Sequence, residues 1–334
     1  MPKNVVICYD GTGNEYSVNN TNVVKTFQAI LRNGKDQVAF YDPGVGTFSF
    51  LGEAVGRPLG KIMGLAFGYG LVQNLEDGYE YLMNHWEEGD RLFIFGFSRG
   101  AFQARALAGM LHRFGLLERG SNNLIHYVST MYNQISTYRF RRGATRPTVQ
   151  KGFKNTFSRV CKPHCVGVWD TVASLGWFYG HRFFDAKIND DIGYGFHAMA
   201  IDERRRKFPV MPWDNRVGER ADTVQQVWFA GVHSDVGGYY IEHGLSDIAL
   251  EWMLGKAEGC GLLLKEDWRS EVAPKVLSRA DDEMHDSYEG GWRLWRPVHR
   301  SIPHGAKVHK SVKARMTASA YNPPNLPKYV QWVD

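Results

Sequence analysis

The chain contains short apolar runs that do not alternate with polar residues and that end close to a glycine or an aspartate. These runs lie at residues 4–8, 37–41, 91–95, 165–169 and 224–229. Strands that are apolar at every position are buried on both faces, which is typical of parallel sheets covered by helices. Amphipathic stretches such as 22–31 and 101–114 separate the runs. The pattern therefore predicts an α/β fold with a doubly wound, mostly parallel sheet, helices on both faces and helical insertions.

The length favours one large domain. With 334 residues, of which 43% are hydrophobic, the chain can bury a full core. It has no internal repeat and no Ser/Pro-rich linker, so we expect a single domain over residues 1–334. The portion from Ala273 onward is rich in Arg, Trp and Pro, and we expect irregular structure and short helices there.

Charge and hydropathy exclude several function classes. A net charge of +5 over this length does not indicate nucleic-acid binding. It would favour an anionic substrate or interface, which leaves peripheral membrane contact open. The opening apolar run is too short for a secretory signal, and no run reaches the roughly 18 apolar residues of a membrane span. We therefore expect a soluble cytoplasmic protein; nothing indicates its oligomeric state.

The four cysteines, Cys8, Cys161, Cys165 and Cys260, are too few for a disulfide framework, and two of them lie in apolar runs. The segment from Cys161 to Cys165 includes His164 and raises the alternative of a zinc site. A closed zinc site needs four ligands, and no second pair has matching spacing. We expect buried free thiols and neither a metal nor a cofactor.

The segment Gly96-Phe97-Ser98-Arg99-Gly100 fits the pattern G-x-S-x-G. It falls between a buried strand and a helix, where a tight turn would expose the serine above the sheet. A Cβ at either glycine position would crowd the strand against the helix. The pattern predicts a nucleophile elbow with Ser98 as nucleophile, and the alternative is a glycine-bracketed turn with an idle serine.

A serine needs a base and an orienting carboxylate, which arrive from other strand ends. Asp170 and His233 each follow a predicted strand, and the order Ser, Asp, His is the one that α/β-hydrolases use. Asp170 could instead cap a helix. The chain has twelve histidines. The rivals of His233 closest to the C-terminus are His285, His304 and His309.

Oxyanion donors are expected beside the elbow. The amide of Arg99 begins the helix and would supply the first donor. Gly11 and Thr12, in the glycine turn after the first strand, are candidates for the second. A phosphate-binding interpretation of that turn is weak, because it has neither G-x-G-x-x-G nor a Walker lysine.

Two segments could bind substrate. The aromatic stretch that includes Trp177 and Phe178 could line an acyl pocket, and core packing is an equal alternative. Arg204 begins a basic run that could bind a phosphate or carboxylate. The alternative for this run is a solvated helix end with local ion pairs to Asp202 and Glu203.

Further motifs extend through most of the chain. They are Asp10-Gly11-Thr12-Gly13-Asn14, Tyr41-Asp42-Pro43-Gly44-Val45-Gly46-Thr47, Val168-Trp169-Asp170-Thr171-Val172, Ala200-Ile201-Asp202-Glu203-Arg204-Arg205 and Trp228-Phe229-Ala230-Gly231-Val232-His233-Ser234-Asp235-Val236-Gly237-Gly238. Together with the elbow they resemble the catalytic domain of type VI secretion phospholipase effectors. The resemblance implies an α/β-hydrolase fold, a triad of Ser98, Asp170 and His233, and phospholipid acyl esters as a substrate class.

The residues and the resemblance together predict a serine hydrolase that cleaves carboxylic esters through an acyl-enzyme intermediate. The substrate is expected to be an ester or a lipid, and the choice between a phospholipase and a simple carboxylesterase stays open. The alternative function is a hydrolase-fold protein that binds a partner or lipid without catalysis.

Overall fold

The computed structural model describes residues 2–11, 19–44, 59–138, 147–172, 188–213, 220, 222–272 and 279–334. Its strands are β1 (Asn4–Tyr9), β2 (Gln37–Asp42), β3 (Arg91–Phe97), β4 (Leu116–Leu117), β5 (Ser158–Arg159), β6 (Pro163–Trp169), β7 (Tyr194–Ala200), β8 (Val224–Phe229), β9 (Lys307–His309) and β10 (Gln331–Val333). Eight of them form one sheet in the order β10-β9-β8-β7-β6-β3-β1-β2. All neighbouring pairs in it are parallel. Strands β4 and β5 form a separate antiparallel pair.

The helices alternate with these strands along the chain. They are α1 (Asn22–Ala29), α2 (Leu59–His85), α3 (Arg99–Phe114), α4 (Ile125–Tyr138), α5 (Pro147–Phe157), α6 (His233–Gly237), α7 (Gly244–Gly259), α8 (Trp268–Val272) and α9 (Lys310–Ala318). Two 3₁₀ turns cover Asn122–Leu124 and Gly290–Leu294. None of the helices in these described ranges is long and apolar enough to span a bilayer.

Helices cover both faces of the sheet, and the side chains of each central strand divide between them. On β1, Val5 and Ile7 pack into one apolar cluster with residues of α2, α3 and α4. Val6 and Cys8 pack into the other cluster, with residues of α1, α7 and α8. Successive side chains of a strand point to opposite faces, so both faces must be apolar. The predicted α/β fold, with a doubly wound parallel sheet and helices on both faces, is confirmed.

The carboxyl ends of the parallel strands all meet at one edge of the sheet. In the sheet, β2 lies on one side of β1, whereas β3 and the later strands of the sheet lie on the other side. The loops that follow β1 and β3 therefore lead in opposite directions, and such a switch point leaves a crevice at that edge. Ser98 follows β3, Asp170 follows β6 and His233 follows the last residues of β8. The topology therefore brings together three residues that are far apart in sequence.

The structure differs from the sequence prediction in several elements. Strand β7 was not predicted, because Gly195 and His197 interrupt its apolar character. The expectation for the segment after Ala273 was wrong in one respect, since β9 and β10 there extend the main sheet. One sheet thus includes strands from both ends of the chain, and we propose that the chain forms a single domain.

Candidate active site

Ser98 lies at the sharp turn between β3 and α3. Its backbone has φ 59° and ψ −117°, a conformation that residues with a Cβ rarely adopt. A Cβ on Gly96 would lie 2.3 Å from the carbonyl oxygen of Gly100. A Cβ on Gly100 would lie 2.1 Å from the carbonyl oxygen of Tyr9. The steric reason predicted for the two glycines is confirmed, because the turn packs too closely for a side chain at either position.

His233 begins α6 directly after β8, and its ring reaches Ser98. The distance from His233 Nε2 to Ser98 Oγ is 2.8 Å, and His233 Nδ1 lies 2.5 Å from Asp170 Oδ2. The ring packs against Phe97 and Phe208, with centroid distances of 4.7 and 5.3 Å. All three polar residues are buried. An imidazole held in this way can donate from Nδ1 to the carboxylate while Nε2 accepts the serine proton.

Backbone groups of β7 hold Asp170 and its carboxylate in place. The amide of Asp170 donates to the carbonyl of Ala198 at 2.8 Å, and the amide of Ala200 donates to Asp170 Oδ1 at 2.9 Å. The next amide, that of Thr171, donates to Nε2 of the buried His197 at 3.2 Å. Asp170 itself has a φ of 40°. The strand that the sequence did not predict thus determines where the carboxylate points.

Arg300 is a second partner of this carboxylate, and sequence reasoning missed it. Its two terminal nitrogens donate to Asp170 Oδ1 at 2.5 Å and to Oδ2 at 2.8 Å. The same nitrogens donate to the carbonyls of Ala200 and Phe208. Burial by itself would raise the pKa of Asp170, but the Arg300 guanidinium and the hydrogen bond from His233 hold that pKa well below its usual range. The Asp170 carboxylate is therefore ionised at neutral pH.

Glu203 supports the backbone that carries His233. Its Oε2 accepts a 3.3 Å hydrogen bond from the His233 amide, and its carboxylate binds the backbone and side chain of Arg205. Burial would raise the pKa of Glu203, but the Arg205 guanidinium lowers it below its ordinary value. The neighbouring Asp202 accepts from the Gly231 amide at 2.7 Å. The turn after β7 therefore holds the turn after β8 in place.

Asp10 organises the ends of β1 and β2 beside the elbow. Its Oδ2 accepts hydrogen bonds from Thr21 Oγ1 at 2.7 Å and from the Tyr41 hydroxyl at 2.9 Å. Its Oδ1 accepts from the Gly11 amide at 2.6 Å. Two motifs that are separated in the sequence, one at Asp10 and one at Tyr41, are thus parts of one hydrogen-bonded loop cluster.

The residues predicted to stabilise an oxyanion have different positions. Arg99 is the first residue of α3, so its amide belongs to the helix N-terminus next to Ser98. Helix N-termini stabilise negative charge. The Gly11 amide would have to exchange its bond to Asp10 in order to serve as a donor. Thr12 lies outside the described residues.

Among the residues predicted to bind substrate, Trp177 and Phe178 lie outside the described residues. Arg204 lies at the surface, where its guanidinium pairs with Asp286 at 2.5 Å and stacks on Tyr288. The basic run is a turn and not the helix end considered above, and its local ion pair joins Arg205 to Glu203.

The rival histidines have other contacts. His285 Nδ1 lies 2.7 Å from Asp235 Oδ1, which orders the loop after β8. His309 caps α9 through the Ser311 amide. His304 lies in the turn before β9. These contacts do not reach the serine, so His233 is the histidine that the described residues bring to it.

The cysteines are free thiols, and those at positions 8, 161 and 165 are buried. Burial raises the pKa of the Cys161 thiol, which keeps it protonated at neutral pH. Over the part of the chain that the structure covers, no group of three or more His, Cys, Asp or Glu side chains could hold a metal ion.

The chain is similar to several known proteins. A family model described as "T6SS, Phospholipase effector Tle1-like, catalytic domain" matches residues 3–256. The uncharacterized protein YEL023C of Saccharomyces cerevisiae is 33% identical over an alignment of 219 residues that covers 62% of this chain and 32% of that protein. The chain therefore spans about a third of the length of this relative.

Two solved structures also resemble the chain. One is described as an uncharacterized protein from Pseudomonas aeruginosa, with 18% identity and a TM-score of 0.45 over 83% of this chain and 48% of that one. The other is the Tle1 effector bound to the VgrG spike from the type 6 secretion system, with 17% identity and a TM-score of 0.42 over 72% of this chain and 52% of that one.

Proposed function

The chain belongs to the family of T6SS phospholipase effector Tle1-like catalytic domains, and from this premise we propose that it is a serine hydrolase that cleaves acyl ester bonds of phospholipids. Membership in a phospholipase family indicates lipid hydrolase activity. The proposal adds the mechanism, in which Ser98 is the nucleophile, His233 the base and Asp170 the orienting acid.

One observation supports this mechanism above the others. A continuous path of hydrogen bonds runs from the Ser98 hydroxyl through both nitrogens of His233 to the Asp170 carboxylate, with distances of 2.8 and 2.5 Å. A serine hydroxyl is a weak nucleophile until a base removes its proton. The strained backbone of Ser98 is a second support, because proteins retain such strain mainly at functional sites.

The reaction follows from the roles of these groups. His233 Nε2 takes the proton of the Ser98 hydroxyl as Oγ attacks the ester carbonyl carbon, and negative charge develops on the carbonyl oxygen next to the Arg99 amide. The intermediate collapses as His233 gives its proton to the departing alcohol, a lysophospholipid. Water then attacks the acyl-enzyme with His233 again as base, which releases the fatty acid and restores Ser98.

The experiment measures the products formed from phosphatidylcholine and phosphatidylglycerol vesicles by mass spectrometry. We expect a free fatty acid and a lysophospholipid in equal amounts. Ser98→Ala should lower the rate at least about a thousandfold. Ser270→Ala, which removes a hydroxyl at an exposed position of helix α8, is the matched control. Diacylglycerol as the product, or full activity of the Ser98→Ala variant, would refute the proposal.

Two alternatives are separated by simpler assays. A carboxylesterase would prefer short soluble p-nitrophenyl esters and would gain no rate at a lipid interface. A hydrolase-fold protein without catalysis would not react with a fluorophosphonate probe, because an unactivated serine does not attack the phosphorus. We expect labelling of the wild-type chain and of Ser270→Ala, and none of Ser98→Ala.

A further inference from the structure

The segment from Gly290 to His299 presents large apolar side chains to solvent. Leu294 is 83% exposed and Val298 51% exposed, and Trp295 between them is 37% exposed. Single exposed apolar residues are ordinary on proteins, whereas a cluster of them indicates an interaction surface. The 3₁₀ turn Gly290–Leu294 holds the start of this segment in a defined conformation.

A chain of ring contacts connects this segment to the candidate active site. Phe208 packs against the ring of His233, and Trp292 packs against Phe208 with a centroid distance of 5.4 Å. Trp295 follows, 5.9 Å from Trp292. The Val298 amide donates to the Arg204 carbonyl, which fixes the segment to the turn after β7. Two rings, those of Phe208 and Trp292, therefore connect the exposed Trp295 to the proposed catalytic base.

Cationic side chains surround the same residues. The ammonium of Lys207 lies 4.0 Å from the centroid of the Trp295 ring. Arg293 and Arg296 flank Leu294 and Trp295 in the sequence and are exposed, as is Arg206 in the adjoining turn. We call these residues the Trp-Arg surface, and its members are Arg206, Lys207, Arg293, Leu294, Trp295, Arg296 and Val298.

We infer that the Trp-Arg surface docks the protein on an anionic phospholipid bilayer, an inference that rests on the proposed function. Tryptophan rings favour the headgroup region, aliphatic side chains enter the acyl boundary, and Lys and Arg bind anionic headgroups. The four cationic side chains of this surface outnumber the exposed carboxylates near it, Glu289 at the N-cap of the 3₁₀ turn and Asp286, which pairs with Arg204. Docking through this surface would hold the candidate site close to the membrane that contains its substrate.

Charge complementarity favours a lipid surface over a protein partner. Lys and Arg next to exposed aliphatic residues match a surface that is anionic everywhere and apolar below. The bilayer needs no shape complementarity, and the short exposed segment offers little area for a stable protein contact.

The test is sedimentation of the full chain with vesicles of ether-linked phosphatidylcholine, with and without ether-linked phosphatidylglycerol. Ether lipids have no acyl ester bonds, so the active protein can be used. We expect binding to the anionic vesicles, weaker binding to the neutral ones, and loss of binding at high salt. Arg293→Gln with Arg296→Gln should weaken binding about fivefold for each charge. Leu294→Ser with Val298→Ser should weaken it at least about tenfold.

Matched controls remove the same kinds of side chain elsewhere. Lys35→Gln with Lys151→Gln removes two exposed positive charges, and Val149→Ser with Val160→Ser removes two exposed aliphatic side chains. Both controls should bind like the wild type. Equal losses in the controls, or no vesicle binding by the wild type, would overturn the inference.

The docking inference and the proposed function fail in different ways. Hydrolysis of a soluble p-nitrophenyl ester by the unmodified chain tests the chemistry without a membrane. If the chain hydrolyses this ester but does not bind vesicles, only the docking inference is refuted. A chain that binds anionic vesicles but hydrolyses neither the soluble ester nor phospholipid refutes the proposed function alone.

Discussion

Replacement of Arg300 by methionine tests whether this residue holds the acid of the proposed triad. Methionine fills a similar length of side chain but has no charge and no donor. The change leaves the buried Asp170 carboxylate with the Ala200 amide and the His233 ring as its remaining described partners. It also removes the donors to the carbonyls of Ala200 and Phe208.

The magnitude follows from the burial of this pair. Asp170 is fully buried and Arg300 is 7% exposed. Removal of one partner of a buried ion pair costs about 3–5 kcal/mol, because the other charge remains without compensation. Asp170→Asn should cost a similar amount, since it leaves the guanidinium alone. The double variant removes both charges, so its cost should be about 2–3 kcal/mol smaller than the sum of the single costs.

The assay is urea unfolding at neutral pH of the wild type, the two single variants and the double variant. Because the pKa of Asp170 is held below its unfolded value, the pair stabilises the fold above about pH 4, and this contribution disappears as pH falls further. The difference between wild type and Arg300→Met should therefore shrink toward acid pH. If the costs of the two single variants add up to the cost of the double variant within about 0.5 kcal/mol, the reasoning is refuted.

Three further predictions follow from the site. Gly100→Ala should destabilise the fold by about 3 kcal/mol or prevent folding, because its Cβ would lie 2.1 Å from the Tyr9 carbonyl oxygen; thermal unfolding measures this. Burial lowers the pKa of His197 to about 3, so the unfolded chain binds a proton there below about pH 6.5 while the folded chain does not. Because of this proton uptake, the free energy of unfolding should fall by about 2 kcal/mol from pH 7 to pH 5. His197→Gln should flatten this slope in urea unfolding, and equal slopes would contradict the assignment. Glu203→Gln weakens the support of the His233 backbone and should slow fluorophosphonate labelling about tenfold, with an unchanged rate as the opposing result.

The parts of the fold that the sequence predicted are those with a local pattern. The strand at Arg91–Phe97 and the turn at Ser98 are visible because an apolar run, two glycines and a helix follow one another within a few residues. Strand β7 has no such pattern, since a glycine and a buried histidine interrupt it. Its burial comes from neighbours on both sides, which pair with it only in the tertiary structure.

The candidate site shows the same division. Chain order and strand ends favoured Asp170 and His233, yet three other histidines remained open, and the contacts of His285 with Asp235 become known only from the coordinates. Arg300 could not be distinguished from the other arginines of its segment, because nothing near it in the sequence reflects a carboxylate 130 residues away.

The sequence by itself determined five strands of the parallel sheet, the elbow and the strand ends from which a triad would be drawn, because periodicity and glycine sterics act over a few residues. The tertiary structure decided which histidine reaches the serine, and that an arginine from the C-terminal segment pairs with the acid. It also decided that this segment lies beside the site with its tryptophans. These contacts depend on the path of the whole chain around the sheet, and the burial that makes them strong exists only when that path is complete.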